Sequence, residues 1–257
     1  METLIIIFET QTDHNITLKG GMLLYASHYK TNDSKIIRKT TDIDLDYNGT
    51  HDSCKNFIHN TVSSLNKRNK LNLTYKIKNI RGFDKSPNST SVKLLITTKD
   101  NEVHEISIDI NMDFKNPITT KFNVKDVSIK GYSIVEVVVD KLKVILSEKL
   151  PRRIKDLYDL YIITQLYDLE SMKITKRFLN KYNKHNDNYN IETYVRTMGN
   201  SKIAYNKYIG LPTHLSYETI NETVIEFITV ILYNINGGIE NYIWKRNTLG
   251  IKTWHQI

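Results

Sequence analysis

Acidic side chains alternate with apolar ones along one short stretch of the chain. Asp42, Asp44 and Asp46 are separated by Ile43 and Leu45. Because side chains point to alternate sides of a β-strand, this spacing places the carboxylates on one face and the apolar residues on the other. Carboxylates this close repel one another, so such a face either binds a cation or is solvated at an exposed edge. Since Mg²⁺ prefers carboxylate oxygens, the stretch predicts either a magnesium site or an exposed acidic strand.

Three other motifs accompany the acidic stretch. Gly20-Gly21 precedes a helix-length segment. Arg38-x-Thr40-x stands directly before Asp42 and is part of the acidic motif. Lys141-Leu142 and the block Arg153-Ile-Lys155-Asp156-Leu-Tyr158-Asp159-Leu come later in the chain. In this order, the four motifs resemble those of the AbiEii/AbiGii-type toxin nucleotidyltransferases of bacterial type IV toxin–antitoxin and abortive-infection systems. That family is a branch of the polymerase-β-like nucleotidyltransferase superfamily, and the resemblance covers residues 19–160.

The resemblance implies a fold and an activity. The fold is α/β (α+β), with a polymerase-β-like nucleotidyltransferase lobe that holds a small mixed sheet in residues 1–130, followed by a mainly helical C-terminal lobe in residues 131–257. The implied activity is Mg²⁺-dependent (or Mn²⁺-dependent) transfer of a nucleotide from an NTP to RNA, notably to tRNA acceptor ends. The protein would then be a toxin in a phage-defence system, countered by a separately encoded antitoxin.

The resemblance also assigns site residues, although the sequence differs from the family's pattern or matches it ambiguously at two places. Asp42 and Asp44 are the metal ligands, and they form the catalytic set together with Lys141 and Asp156. Nucleotide contacts fall on Gly20, Gly21, Arg38, Thr40 and Lys141. Met22 follows the glycines where many relatives have a small hydroxyl residue, so any hydroxyl contact there is lost. Either Arg152 or Arg153 corresponds to the family's arginine.

A second alternating segment predicts another acidic strand. From Glu105 to Asp113 the apolar residues Ile106, Ile108, Ile110 and Met112 take one face, which leaves Asp109 on the other. In the superfamily a third carboxylate comes from a strand beside the Asp-x-Asp strand, and Asp109 is our candidate. The alternative is an ordinary polar strand face.

Two predicted helices each turn one charge toward apolar surface. In a helix over residues 132–147, Lys141 shares a stripe with Ile134, Val138 and Ile145. In the next helix, which Pro151 begins, Asp156 lies beside Leu160 and Ile163, whereas Lys155 and Asp159 are spaced to pair on the exposed side. A buried ammonium must be paired, so Lys141 forms either a structural salt bridge or a phosphate contact. We expect Lys141 and Asp156 to approach within hydrogen-bonding or one-water distance at the nucleotide site.

A basic helix face follows. It consists of Lys173, Lys176, Arg177, Lys181 and Lys184, with no acid between them. Such a face either contacts the phosphate backbone of RNA or is merely solvated. The rest of the chain is predicted to be mainly helical, with a helix from Ser216 to Tyr233 and a tail whose Trp244 and Trp254 pack on the body, stack on RNA or bind a partner protein.

Composition sets outer limits. A chain of 257 residues accommodates an α/β unit with a helical appendage. The single cysteine, Cys54, excludes an intramolecular disulfide framework and fits a reducing cytoplasm. The net charge of +8 suits an anionic partner, but it is spread along a chain rich in Lys, Asn and Ile. Leu4 to Phe8, a strand or a short buried entry segment, lacks the basic leader of a signal peptide, and no membrane association is expected.

Three functions remain open on these grounds. The first is an NTP:tRNA nucleotidyltransferase toxin. The second keeps the enzyme but transfers a nucleotide or a phosphate to protein. The third is a nucleotide- or nucleic-acid-binding module without activity. The Asp42 and Asp44 pair argues against the third function, because a metal site that has lost its activity need not keep both carboxylates on one face.

Overall fold

Residues 1–10, 15–29, 31–68, 73–82, 88–113, 116–182, 189–208, 211 and 215–257 are described by a computed structural model. They divide into two units, the N-terminal unit of residues 1–35 and 39–132 and the C-terminal unit of residues 36–38 and 133–257. The short segment Ile36–Arg38 therefore packs with the C-terminal unit, although the strand that follows it belongs to the N-terminal one.

A mixed sheet forms the centre of the N-terminal unit. Its strands are β1 (Ile16–Lys19), β2 (Asp42–Tyr47), β3 (Thr74–Arg81), β4 (Ser89–Thr97), β5 (Val103–Asn111), β6 (Thr119–Val124) and β7 (Val127–Tyr132). Within the described ranges they form a seven-stranded sheet in the order β3-β4-β5-β2-β1-β7-β6. Strands β2 and β5 run parallel, as do β1 and β7, and the other neighbours are antiparallel. The predicted mixed α/β fold is confirmed.

Alternation along β2 separates the core from the polar face. Ile43 and Leu45 are buried, as are Leu18 on β1 and Ile110 on β5. Full burial of such a side chain stabilises the fold by about 1.5–3 kcal/mol. The apolar face therefore fixes which side of the sheet presents the carboxylates.

Helices α1 (Glu2–Glu9), α2 (Gly20–Ser27) and α3 (His51–Lys67) belong to the same unit, with a 3-10 turn at Asn32–Lys35. Leu4 to Phe8 lies inside α1, so the predicted strand is wrong, although the predicted burial is correct. A continuous apolar run fits a buried helix and a buried strand equally well, which explains the error. Helix α3 begins where the Thr50 side chain accepts a hydrogen bond from the Ser53 amide.

The C-terminal unit is mainly helical. It contains α4 (Ile134–Ile145), α5 (Ile154–Leu166), α6 (Ser171–Tyr182), α7 (Ile191–Lys207) and α8 (Tyr217–Ile235), a 3-10 turn at Leu150–Arg153, and the strands β8 (Leu169–Glu170), β9 (Tyr242–Arg246) and β10 (Lys252–Gln256). Helix α5 packs against α4 and α8, and α6 packs against the same two helices. Across the described ranges, no helix is both long and apolar enough to cross a membrane.

The tail of the chain, for which the sequence predicted no particular element, is a β-hairpin. Strands β9 and β10 pair antiparallel, with Trp244 opposite Trp254. Trp244 is fully buried and donates its indole N–H to the Thr164 carbonyl over 2.9 Å, while Trp254 stacks on Phe227 with ring centroids 5.2 Å apart. Packing on the body, the first of the three roles considered for this tail, is therefore what both tryptophans do.

Candidate active site

Asp44 and Asp109 face each other across the parallel pair of strands β2 and β5. In the same register Asp42 lies opposite Ser107, and Asp46 lies opposite Asn111. Paired residues of neighbouring strands share a face of the sheet. Asp109 thus comes from the strand beside Asp42 and Asp44, where the third carboxylate was expected, and its metal-binding role stays a prediction.

Glycine is required where α2 begins because the backbone lies against Asp44. Gly20 has a φ of +69°, and a Cβ built there would stand 2.0 Å from the Asp44 Oδ2. The first turn of α2, which also contains the buried Gly21, therefore begins beside a carboxylate. The positive end of a helix dipole stabilises such an anion and would equally favour a phosphate. The phosphate contact of Gly20 and Gly21 stays a prediction.

Asp46 carries out a structural task. Its carboxylate is almost completely buried and accepts hydrogen bonds from Lys19 Nζ at 2.6 Å and Asn111 Nδ2 at 3.3 Å, and from the Tyr132 hydroxyl. A buried carboxylate needs such partners to remain charged. The protein thus neutralises the third acid of the Asp-x-Asp-x-Asp run by itself, which leaves Asp42 and Asp44 as the acids of β2 that a metal ion could use.

A cleft of about 380 Å³ opens over this polar face. Its walls include Lys19, Asp44, Asp109, Ser91 and Arg81. These five residues form one continuous row across β1, β2, β5, β4 and β3, because each is the direct partner of the next in the sheet. The volume is within the range of small-molecule sites, about 300–1,000 Å³. Anionic groups therefore stand in the middle of the row and cationic groups at both ends.

Thr40 lies just outside strand β2. Its hydroxyl accepts a hydrogen bond from the Asp42 amide at 3.3 Å, which fixes the chain where the acidic strand begins. The structure thus gives Thr40 a local role in positioning Asp42. Its contact with a nucleotide stays a prediction.

The donor set suits a metal that brings other ligands with it. Among the described residues, no group of three or more His, Cys, Asp or Glu side chains is arranged to hold an ion. Mg²⁺ usually binds one or two carboxylates and completes its octahedral shell with water and substrate phosphates. Asp44 and Asp109, with Asp42 two residues away on the same face, fit that mode of binding.

A second charged cluster lies in the C-terminal unit. Lys141 Nζ is 2.6 Å from Asp156 Oδ1 and 2.7 Å from Asp159 Oδ2. Arg38 donates from Nε and from one terminal nitrogen to the two oxygens of Asp159, at 2.7 and 2.8 Å. Arg153 Nε reaches the other oxygen of Asp156 at 2.8 Å. The predicted distance between Lys141 and Asp156 is confirmed, whereas their place at the nucleotide site stays a prediction. Arg153 is the arginine in contact with Asp156.

The prediction that Asp159 pairs with Lys155 on the exposed side of its helix is wrong. Asp159 is 2% exposed, and its partners are Arg38 and Lys141. Helix α5 packs against both α4 and α8, so it buries more than the single stripe that periodicity suggested.

Electrostatics keep the ions of this cluster charged. Burial opposes ionisation of Asp156, but the opposite charges of Lys141 and Arg153 outweigh it and hold the pKa of the carboxyl below its usual value. Burial likewise opposes the charge on Lys141, yet Asp159 and Asp156 raise the pKa of its ammonium. Lys141 therefore remains protonated near neutral pH and acts as a cation rather than a base.

The basic face predicted on α6 is not a continuous exposed surface. Arg177 and Lys181 both form ion pairs with the buried Glu136 of α4, at 2.6 and 2.5 Å. Lys173 and Lys176 are exposed, and Lys173 pairs with Glu170. Lys184 lies outside the described residues. Glu136 lies on another helix, which is why the sequence of α6 gave no sign of the ion pairs of Arg177 and Lys181.

Several site residues were not identified from sequence. Lys19, Ser91 and Arg81 line the cleft, and none of them belongs to a motif of the family. The sequence showed only that polar and apolar residues alternate within each strand. This alternation does not reveal which strand lies next to it or in which register the two strands pair.

Comparisons with known proteins agree with this geometry. The family model described as "Nucleotidyl transferase AbiEii toxin, Type IV TA system" matches residues 6–227. Among solved structures, a candidate nucleotidyltransferase from H. pylori has 14% sequence identity and a TM-score of 0.59, covering 91% of this chain and 94% of its own. JHP933 from Helicobacter pylori has 16% identity and a TM-score of 0.54, with 91% of each chain covered. These likenesses show the fold. The search of curated proteins finds no match.

Proposed function

The chain belongs to the AbiEii family of nucleotidyltransferase toxins from type IV toxin–antitoxin systems, and we propose that it transfers a nucleotide from an NTP to RNA, with the acceptor ends of tRNA as its target. Membership of the family implies the nucleotide substrate and a separately encoded antitoxin. The RNA acceptor, the metal ion and the role of each residue are parts of our proposal.

One observation carries it. Asp44 and Asp109 are direct partners on neighbouring parallel strands, and the N-terminus of α2 begins against Asp44. The paired carboxylates attract a metal cation, and the N–H groups at the start of the helix attract phosphate. Side by side, they suit a nucleotide together with its metal ion.

The metal is proposed from the donor set described above. Asp44 and Asp109 would hold Mg²⁺ or Mn²⁺, Asp42 would join them when substrate binds, and substrate and water would fill the remaining positions. When bound, such an ion supplies positive charge to the triphosphate and to the attacking and leaving oxygens.

The chain itself positions the reactants. We assign the backbone of Gly20 and Gly21 to the triphosphate, because amide N–H groups at a helix N-terminus bind anions. Thr40 accepts a hydrogen bond from the Asp42 amide, and we also assign to it the nucleotide contact that the resemblance implies. The acceptor hydroxyl oxygen then forms a bond to the α-phosphorus as the bond to the bridging oxygen breaks. Pyrophosphate departs, and a carboxylate of the pair takes the hydroxyl proton.

Arg38 and Lys141 keep the phosphate contacts that the resemblance implies, and Asp156 is proposed to orient Lys141. Arg38, Lys141 and Arg153 supply three positive charges in their cluster against the two carboxylates Asp156 and Asp159. The balance of one positive charge suits an anionic ligand.

The test uses the whole purified chain with Mg²⁺ and each NTP in turn, labelled with ³²P at the α-phosphate or, in a parallel reaction, at the γ-phosphate, and offered total tRNA or total protein. Label in RNA supports the proposal. Label in protein, or transfer of a γ-phosphate to protein, would replace it with the second function considered, and no transfer at all would leave a binding module. Asp44→Asn must abolish the signal. Asp126→Asn, which removes one exposed carboxylate from the β6–β7 turn, is the matched control.

A further inference from the structure

Basic side chains on β3 and β4 share the face of the sheet that presents Asp44 and Asp109. Arg81 is paired with Ser91, and Ser91 is paired with Asp109. Lys93 lies two residues after Ser91, and it shares its row with Ser107 and Asp42. All of these side chains therefore point to the same side of the sheet.

Two lysines of β3 extend the set. Lys76 is paired with Leu95, which lies two residues beyond Lys93 and so points to the same side. Lys78 lies where the pairing register shifts, but its ammonium reaches Glu105 at 2.7 Å, and Lys93 reaches the other oxygen of Glu105 at 2.5 Å. We call these four residues, Lys76, Lys78, Arg81 and Lys93, the basic strip.

The strip keeps an excess of positive charge. Glu105 is the acid that pairs with it, through Lys78 and Lys93. Among the residues that the structure describes, neither Lys76 nor Arg81 forms an ion pair with an acidic side chain, and both are exposed. Four cations and one carboxylate leave three net positive charges, which is unfavourable for the free protein and favourable for binding a polyanion.

The strip starts in the candidate active site and leads away from it. Arg81 lines the same cleft as Asp44 and Asp109. At a strand spacing of about 4.8 Å, its Cα lies about 10 Å from that of Asp109, on the far side of β4. Lys76 is five residues further along β3, which is about 17 Å at the usual rise of a strand. The strip is therefore long enough to contact several phosphates of one RNA strand in succession.

We propose that the basic strip binds the phosphodiester backbone of the acceptor RNA and guides its 3′ end to Asp44 and Asp109. This inference rests on the proposed function and names the surface that holds its substrate. The guanidinium of Arg81 suits bidentate contact with a phosphate, and the lysines act as point charges. Because phosphate contacts do not distinguish bases, the strip contributes affinity and direction rather than sequence choice. It replaces α6 as the RNA surface, since Arg177 and Lys181 are paired with Glu136.

The experiment compares K76E/R81E with K173E/K176E in the full-length chain. Both variants reverse two exposed charges, the first on the strip and the second on α6. Binding of fluorescently labelled total tRNA is measured without NTP over a range of salt concentrations, and label transfer is measured separately. Thermal melting checks that each variant is folded, and R81Q serves as a milder variant.

We expect K76E/R81E to bind tRNA at least tenfold more weakly than the wild type, and R81Q to show a smaller loss. Two lost phosphate contacts should lower the slope of log K against log salt by about 1.4 for a single strand. In the single variant K76E, whose residue does not line the cleft, the KM for tRNA should rise while the KM for NTP stays unchanged. K173E/K176E should bind like the wild type.

If K76E/R81E bound tRNA with wild-type affinity, or if only K173E/K176E lost affinity for tRNA, the proposed role of the basic strip would be contradicted. If the wild type transfers label to RNA but the strip variants do so equally well, the strip is refuted and the proposed function stands. If tRNA binding depends on the strip and no label is transferred, the proposed function is refuted and the binding surface stands.

Discussion

Asp44 and Asp109 lie directly opposite each other on neighbouring parallel strands, although they are far apart in sequence. Asp44 also touches the first turn of α2, whereas the nearby Asp46 is neutralised inside the protein by Lys19, Asn111 and Tyr132. The fold thus distinguishes two kinds of carboxylate on one strand. Asp46 stabilises the fold through its buried partners, and Asp44 lies at a cleft where a nucleotide could bind.

Asp109→Asn tests whether the second carboxylate of this pair takes part in the reaction. The amide has nearly the same shape but no charge, so we expect transfer of labelled nucleotide to fall by at least about 100-fold, the scale of losing one preorganised electrostatic contact. Asp126→Asn should retain wild-type transfer. Equal activity in the two variants would remove Asp109 from the site.

Gly20→Ala tests the close approach of α2 to Asp44. The new Cβ would collide with the carboxylate, and the residue would have to keep a φ of +69°. We expect a loss of about 1–3 kcal/mol in the free energy of unfolding together with a loss of activity. Denaturant unfolding and label transfer measure the two effects.

Gly199→Ala is the control for that glycine. Gly199 lies inside α7, and a Cβ there would meet nothing within 4 Å. Alanine should therefore stabilise the helix by about 0.5–1 kcal/mol. If Gly20→Ala were as well tolerated, the contact with Asp44 would not constrain the site.

Asp159→Asn tests the charged cluster of the C-terminal unit. It would leave Arg38 and Lys141 short of a buried counter-charge, and breaking a buried ion pair in this way costs about 3–5 kcal/mol. Chemical denaturation should show that loss. The comparison is Lys202→Met, which removes one half of the exposed pair between Lys202 and Glu218 and should change stability by less than about 1 kcal/mol.

The pH dependence of the free energy of unfolding should show how much the charged carboxylate of Asp156 stabilises the fold. The pKa of this carboxyl is lower in the folded chain than in the unfolded one, because Lys141 and Arg153 outweigh the effect of burial. Its contribution is therefore complete above the unfolded pKa, about 3.9, and disappears as the pH falls through the folded value. Melting curves of the wild type and Asp156→Asn should differ most above about pH 5 and converge in stronger acid. A difference that grows with acidity would contradict this sign.

Local periodicity predicted the parts of the site that depend on one element. The period of two placed Asp42 and Asp44 on one face, and the period of 3.6 turned Lys141 and Asp156 toward apolar surroundings, where they meet at 2.6 Å. The strand carrying Asp109 was also recognised, although its exact register against Asp44 required the folded sheet.

What sequence could not supply was the identity of distant partners. Glu136, which neutralises Arg177 and Lys181, lies on another helix. The segment that carries Arg38 reaches Asp159 only because residues 36–38 pack with the C-terminal unit. The tail forms a hairpin against β8, where Trp244 pairs with Leu169, because long-range pairing overrides weak local preference.

The most direct measurement of the central claim is a crystal structure of the protein soaked with Mg²⁺ and a non-hydrolysable NTP. The account predicts a metal ion between the carboxylates of Asp44 and Asp109, with triphosphate oxygens completing its shell and the phosphates at the N-terminus of α2. Nucleotide bound elsewhere, with both carboxylates facing bulk solvent and no ion between them, would contradict it.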